Sequence, residues 1–217
     1  MEKVDIKLNK KIIVDKPMND SVDSNNNDWV NSKTIAQLDS LINTCSKCPL
    51  AENRINFVFG SGNPNADVMV IGEGPGAEED KQGLPFVGRA GKLLTEILRA
   101  IKFTRDEVYI ANVVKCRPPG NRTPLPIEME TCIPYLKKQI ELIKPKLILC
   151  LGRTAAQGIL KMKDSLGNMR GKFFDFENAK VMVTYHPAAL LRNPHWKRAT
   201  WEDVQKFRAF YDELLEK

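Results

Sequence analysis

Apolar positions along the chain keep two rhythms. In KTIAQLDSLINTC, residues 33–45, Ile35, Leu38, Leu41 and Ile42 recur at helical spacing, which predicts an amphipathic helix ending at the first cysteine pair. DVMVI (67–71) is a short unbroken apolar run, the mark of a buried strand. It leads through a glycine-rich turn to a helix striped by Leu93, Leu94, Ile97, Leu98 and Ile101. EVYIANVV (107–114) is β-branched and aromatic, as strands are, and precedes a Pro/Gly loop and the helix IEMETCIPYLKKQIELI. KLILCLG (146–152) feeds RTAAQGIL, and KVMVTY (180–185) feeds a loop that begins at His186. A last stripe, Trp201, Val204, Phe207, Tyr211 and Leu214, predicts a terminal helix packed on the core.

Strand, helix, strand, helix in this order predicts a parallel sheet covered on both faces. Ligands in such sheets bind beyond the carboxyl ends of the strands. Three loops therefore converge: the turn at Gly72, the loop after Asn112 and the loop that starts at His186. At 217 residues, 42 % hydrophobic and 28 % charged, the chain suits one globular domain with a sizeable core. Its apolar run LILCL is far short of the roughly 20 residues of a membrane span. MEKVDIKLNKKIIVDK lacks the apolar centre of a secretory signal, so a cytoplasmic protein is expected. Residues 1 to about 32, rich in Asn, Asp and Ser, are expected to form a disordered extension, with the folded domain running from Lys33 to Lys217.

The turn GEGPGAEED, Gly72 to Asp80, has the strand-to-helix form of a phosphate cradle, yet Glu73, Glu78, Glu79 and Asp80 would repel a phosphate. Elsewhere the charge points the other way. The net charge is +6, and the segments KCRPPGNR (115–122) and HPAALLRNPHWKRAT (186–200) contain no acidic residue, which suits a polyanionic partner. Of the five cysteines, Cys150 sits inside an apolar strand and reads as a small hydrophobe. The other four, at 45, 48, 116 and 132, leave an iron-sulfur cluster, a zinc site and unliganded thiols all open, since a zinc ribbon normally repeats the CxxC pair and this chain does not.

Five segments in this order, GEGPGAEED, LPFVGRAG, ANVVKCRPPGNRTP, HPAALLRNP and the four cysteines, resemble the family 4 uracil-DNA glycosylases of bacteria and archaea. The resemblance runs from about Leu38 to the C-terminus. It implies a three-layer α/β/α fold with a central four-stranded parallel sheet, and a [4Fe-4S] cluster on Cys45, Cys48, Cys116 and Cys132. It implies hydrolysis of the bond joining uracil to deoxyribose, in single- and double-stranded DNA, by a monomer without lyase activity that initiates base-excision repair. Residue by residue, Phe86 would stack on the uracil, Asn112 would read its edge, and Gly72 and Gly74 would close the backbone on it. Glu73 would stabilise the sugar cation or position water, and His186 would stabilise the departing anion. Glu79 would crowd the C5 position against thymine. Leu190, Leu191 and Arg192 would enter the minor groove, and Lys197 and Arg198 would neutralise phosphates.

Two other functions fit parts of the sequence. A non-catalytic nucleic-acid-binding module would keep the cysteines and basic loops, but has no use for Glu73, Asn112 and His186 together. A nucleotide-binding enzyme would use the Gly72 turn, but the turn's carboxylates and the missing Lys-Ser/Thr of a P-loop disfavour it.

Overall fold

A computed structural model describes residues 28–216. The extension expected at the N-terminus lies, up to residue 27, outside the described residues. Its last part forms a 3-10 helix, Asp28–Asn31, whose Trp29 meets Tyr135 edge-on with ring centroids 4.8 Å apart. Helix α1 (Ile35–Ile42) follows, started by the Thr34 hydroxyl, which accepts from the Gln37 N–H. Leu38 and Ile42 are buried as the stripe predicts, but Leu41 is exposed, because an eight-residue helix with one covered face leaves that position outside.

The chain continues through α2 (Leu50–Asn53), β1 (Ser61–Gly62), β2 (Val68–Gly72), α3 (Ala77–Gln82), α4 (Arg89–Ala100), β3 (Tyr109–Asn112) and α5 (Pro126–Ile143). Then come β4 (Leu147–Leu151), α6 (Arg153–Leu160), α7 (Leu166–Met169), β5 (Phe173–Phe176), β6 (Ala179–Thr184), α8 (Pro187–Arg192) and α9 (Trp196–Leu215). The sheet is six-stranded in the order β1-β3-β2-β4-β6-β5. Its four middle strands are parallel, as expected, and β1 and β5 add antiparallel edges that the sequence pattern did not disclose.

The parallel strands are buried on both faces, so their alternate residues feed two cores. Met69, Ile71, Ile148, Cys150, Val181 and Val183 face a layer built from α1, α5 and α6. Val68, Val70, Ile110, Leu149 and Met182 face the layer of α4 and α9, where Leu94, Leu98, Val204 and Phe207 pack. Cys150 is fully buried among these side chains, in keeping with a hydrophobe's role. Helix α9 starts five residues before the predicted stripe, and its inward positions are Thr200, Asp203, Val204 and Phe207. That phase turns Trp201, expected in the core, out to solvent.

Register sets up the site. Gly72 pairs with Asn112 across β2 and β3, and Leu151 pairs with Thr184 across β4 and β6. The parallel strands thus end together, and the residues that follow them converge.

Candidate active site

Four loops meet at the carboxyl edge, one more than the sequence suggested. Glu73 is the first residue past β2, and its Oε2 is hydrogen-bonded by the Thr154 hydroxyl from the first turn of α6. Thr154 was missed, although the crevice rule applies as well to the turn after β4 as to the other three.

Asn112, the last residue of β3, is only 1 % exposed, and its Oδ1 has no hydrogen-bond partner. A buried acceptor left bare costs about 1–3 kcal/mol, so such groups mark function or a ligand still to come. The opposing Gly72 makes room for it. A Cβ there would lie 2.4 Å from Asn112 Oδ1 and 2.5 Å from Phe86 Cζ, so any side chain would displace both.

Phe86 reaches the site from the loop between α3 and α4 with a left-handed backbone, φ 54°. For a residue with a Cβ that conformation costs about 1–2 kcal/mol, an expense found where geometry serves a site. Gly91 on α4 lets the turn sit directly on the helix, since a Cβ there would strike the Phe86 carbonyl oxygen at 1.8 Å. The buried Phe86 ring lies 5.5 Å from the His186 ring, centroid to centroid.

His186 caps α8. Its Nδ1 accepts from the Ala188 N–H at 3.1 Å, so the neutral ring carries its proton on Nε2. Burial, with help from the Arg192 cation, pushes its pKa down to about 4. The imidazole is therefore a neutral hydrogen-bond donor at physiological pH.

Glu79 lines the cavity, but its carboxylate is already spoken for. Oε1 accepts from the N–H groups of Val87 (2.9 Å) and Gly88 (2.8 Å), and Oε2 accepts from that of Gly76 (3.1 Å). The expected guard at the base's C5 position also holds the loop that carries Phe86. Glu73, Gly74, Glu79, Phe86, Asn112, His186 and Arg192 border one cavity of about 550 Å³, a size suited to a small ligand.

The groove-entering segment needs one correction. Leu190 is 1 % exposed and packs inward, because α8 lies against the domain, so it is no wedge in this arrangement. Leu191 is 39 % exposed, and Arg192, which lines the cavity, is exposed as well. Lys197 and Arg198 are exposed on the first turn of α9, where Arg198 pairs with Glu202 at 3.4 Å. Behind this loop Tyr185 stacks on Trp196 at 4.7 Å, and Arg170 lies over Tyr185 while its guanidinium binds the buried Asp203.

The four outlying cysteines gather on the face carrying α1 and α5. Cys116 and Cys132 are buried, and Cys45 and Cys48 half-buried. Burial raises the thiol pKa of Cys48, Cys116 and Cys132, the last to about 12, and each is raised further by charge on others of the set. Two donors point at sulfur: Arg54 Nη1 at Cys116 Sγ (3.0 Å) and the Tyr135 hydroxyl at Cys45 Sγ (3.4 Å). Among the described residues, no group of three or more His, Cys, Asp or Glu side chains is arranged to hold a single metal ion.

A strand-edge crevice with a bare amide oxygen, an aromatic ring on a left-handed turn, a carboxylate and a neutral imidazole marks an α/β protein with a ligand site at the edge of its sheet. The model of the Uracil DNA glycosylase superfamily matches residues 59–210, and the chain belongs to that superfamily, in its type-4 uracil-DNA glycosylase family. It is 48 % identical over 173 residues to the Type-4 uracil-DNA glycosylase of Thermotoga maritima, covering 78 % of this chain and 90 % of that one. It is 46 % identical over 173 residues to the Type-4 uracil-DNA glycosylase of Archaeoglobus fulgidus, covering 76 % and 87 %. A more distant similarity, 30 % over 147 residues, is to the DNA polymerase of Bacillus phage SP01, covering 67 % of this chain and 16 % of the polymerase.

Proposed function

We propose that the protein excises uracil from single- and double-stranded DNA by hydrolysing its N-glycosidic bond, leaving an abasic site for base-excision repair. The observation that carries this reading is the buried, unpartnered Oδ1 of Asn112 beside the Phe86 ring. Uracil offers what both lack: an N3–H for the bare acceptor and a flat face for the ring. Cytosine in the same pose would turn an N3 lone pair, not an N–H, towards Oδ1. The base must leave the helix to reach them, at a cost of a few kcal/mol that stacking and edge contacts offset.

As the C1′–N1 bond breaks, its electron pair moves to the base and positive charge grows on the sugar. Glu73, fixed by Thr154, stabilises that charge and orients the water whose oxygen bonds to C1′. His186 donates from Nε2 to uracil O2 and stabilises the anion without becoming an imidazolium, and the water's proton balances the product. Arg192 and the exposed Leu191 would face the minor groove, with Lys197 and Arg198 on the phosphates. Glu79 would keep a methylated C5 out of the cavity. We take the protein to act as a monomer in the cytoplasm.

Cys45, Cys48, Cys116 and Cys132 would hold a [4Fe-4S] cluster, which would brace the segments that carry them. Thiolates fit the donors aimed at them from Arg54 and Tyr135, and the buried Lys115 ammonium beside Cys116 and Cys132 offsets their negative charge.

The test is incubation with oligonucleotides carrying uracil, hypoxanthine or a mismatched thymine, single- and double-stranded, followed by alkali. Cleavage at uracil is expected and none at thymine. Tight binding without cleavage would favour a DNA-binding module, a reading kept in view by the partial similarity to a phage polymerase.

A further inference from the structure

The loop bearing Phe86 is held from both sides, by Glu79 and by Arg105, a side chain that no reading of the chemistry brings to the base. Arg105, half-buried just before β3, donates from Nη2 to the Pro85 carbonyl (2.7 Å) and from Nη1 to the Phe86 carbonyl (3.1 Å). Glu79, from α3, accepts from the next two N–H groups, those of Val87 and Gly88. Three consecutive peptide units are thus pinned by opposite charges, through two carbonyls and two N–H groups. The pinned turn is the one that forces a non-glycine residue to φ 54°.

The charges lie near enough to feel each other. Burial pulls the Arg105 guanidinium down, while Asp106 and Glu79 push it back up. A planar fork suits the job, because two parallel N–H groups reach two adjacent carbonyls where an ammonium presents one point of charge.

We propose that Arg105 is a positioning residue for base recognition: with Glu79 it clamps residues 85–88 and thereby fixes the Phe86 ring against Asn112 and His186. The proposal rests on Phe86 being the surface on which uracil stacks. Without the clamp the turn relaxes toward ordinary φ, the ring swings from the cavity, and the base loses its stacking face. Glu79 then contributes to specificity partly through the shape of the turn, in addition to any direct crowding of C5.

The experiment uses Arg105→Met, which keeps bulk and removes the donors, Arg105→Lys, and Phe86→Leu, alone and combined with Arg105→Met. Each full-length variant is assayed for inhibition by free uracil, for KM and kcat on a uracil-containing oligonucleotide, and for amide exchange at residues 86–91. Arg105→Met is expected to weaken free-uracil binding about tenfold, the scale of one lost base stack. Phe86→Leu is expected to do the same, and the double variant to be no worse than either single one, because both remove one interaction. Arg105→Lys should fall between wild type and Arg105→Met. Exchange at Val87 and Gly88 should quicken in Arg105→Met.

Losses that multiply in the double variant, or uracil binding unchanged in Arg105→Met while its melting temperature falls, would overturn the proposal. Should Arg105→Met fail to fold, Glu79→Gln tests the other jaw by the same readouts, and protected Val87 and Gly88 amides with unaltered uracil binding would refute the clamp. If wild-type protein neither binds nor releases uracil, the reading of the site fails. Unchanged amide exchange in Arg105→Met, by contrast, would fail the clamp alone.

Discussion

Two polar side chains leave the end of β3 three residues apart, and the protein treats them in opposite ways. Lys115 is fully buried, and its ammonium donates to the Asn112 carbonyl (2.9 Å) and to Gln139 Oε1 (2.6 Å); Gln139 in turn donates to the Phe59 carbonyl. Asn112 is buried to the same degree, yet its Oδ1 is bare. The first arrangement is what stability demands of a polar group in a core. The second sacrifices stability at one atom, and the residue that carries it lines the cavity. The same contrast separates Asp203, bound by Arg170 and Thr184, from Glu73, which keeps one oxygen clear of Thr154. The other buried side-chain atom without a partner among the described residues, Trp29 Nε1, lies away from this cavity, so it is the pairing of a bare acceptor with the cavity that sets Asn112 apart.

Mutation should split the two sets. The largest effects belong to the groups proposed to act on the reacting bond: Glu73→Ala and His186→Ala should slow uracil release by roughly 10²–10⁴-fold with little change in melting temperature, as single-turnover assays and thermal unfolding would record. Asn112→Ala should slow release about 100-fold, while the protein melts at or slightly above the wild-type temperature, because a bare acceptor has been removed. An Asn112→Ala variant that lost stability instead would break the contrast. Lys115→Met should do the reverse, destabilising by about 2 kcal/mol in denaturant titration through the acceptors it orphans, with release per folded molecule slowed less than tenfold.

How far the sequence foretold this arrangement depends on the kind of signal. Strands β2, β3, β4 and β6 are apolar runs buried on both faces, and such runs declare themselves. The crevice rule then drew together the Gly72 turn, the loop after Asn112 and the loop at His186, and the resemblance singled out Glu73, Asn112 and His186 on them. Edge strands left no trace, because Ser61–Gly62 is too short for any pattern and FFDF does not alternate. Leu190 and Leu191 are adjacent leucines, and only the seating of α8 decides that the first turns in and the second out. Thr154 and Arg105 act through geometry across 81 and 19 residues of separation, to Glu73 and Phe86, which no local motif encodes.

Milder conditions sharpen the same comparison. The folded pKa of His186, about 4, lies below its ordinary 6.5, so the unfolded chain binds more protons between these values. Its contribution to stability is complete above about pH 6.5 and is lost as pH falls toward 4. Activity should keep a neutral His186 to about pH 4 in a rate–pH profile, with no acid limb near 6.5. The smallest effect belongs to the exposed cations. Lys197→Ala with Arg198→Ala should weaken binding to uracil-containing and plain DNA alike, and should lower the slope of log K against log salt by about 2.

The claim at the centre is that Asn112 Oδ1 is kept bare for the N3–H of a flipped uracil. It is tested most directly by the rate of base release from two oligonucleotides identical except that one carries uracil and the other N3-methyluracil. The account predicts rapid release of uracil and release of the methylated base slower by at least about 100-fold, since the methyl removes the donor and leaves the acceptor unpaired. Equal rates for the two bases would contradict it.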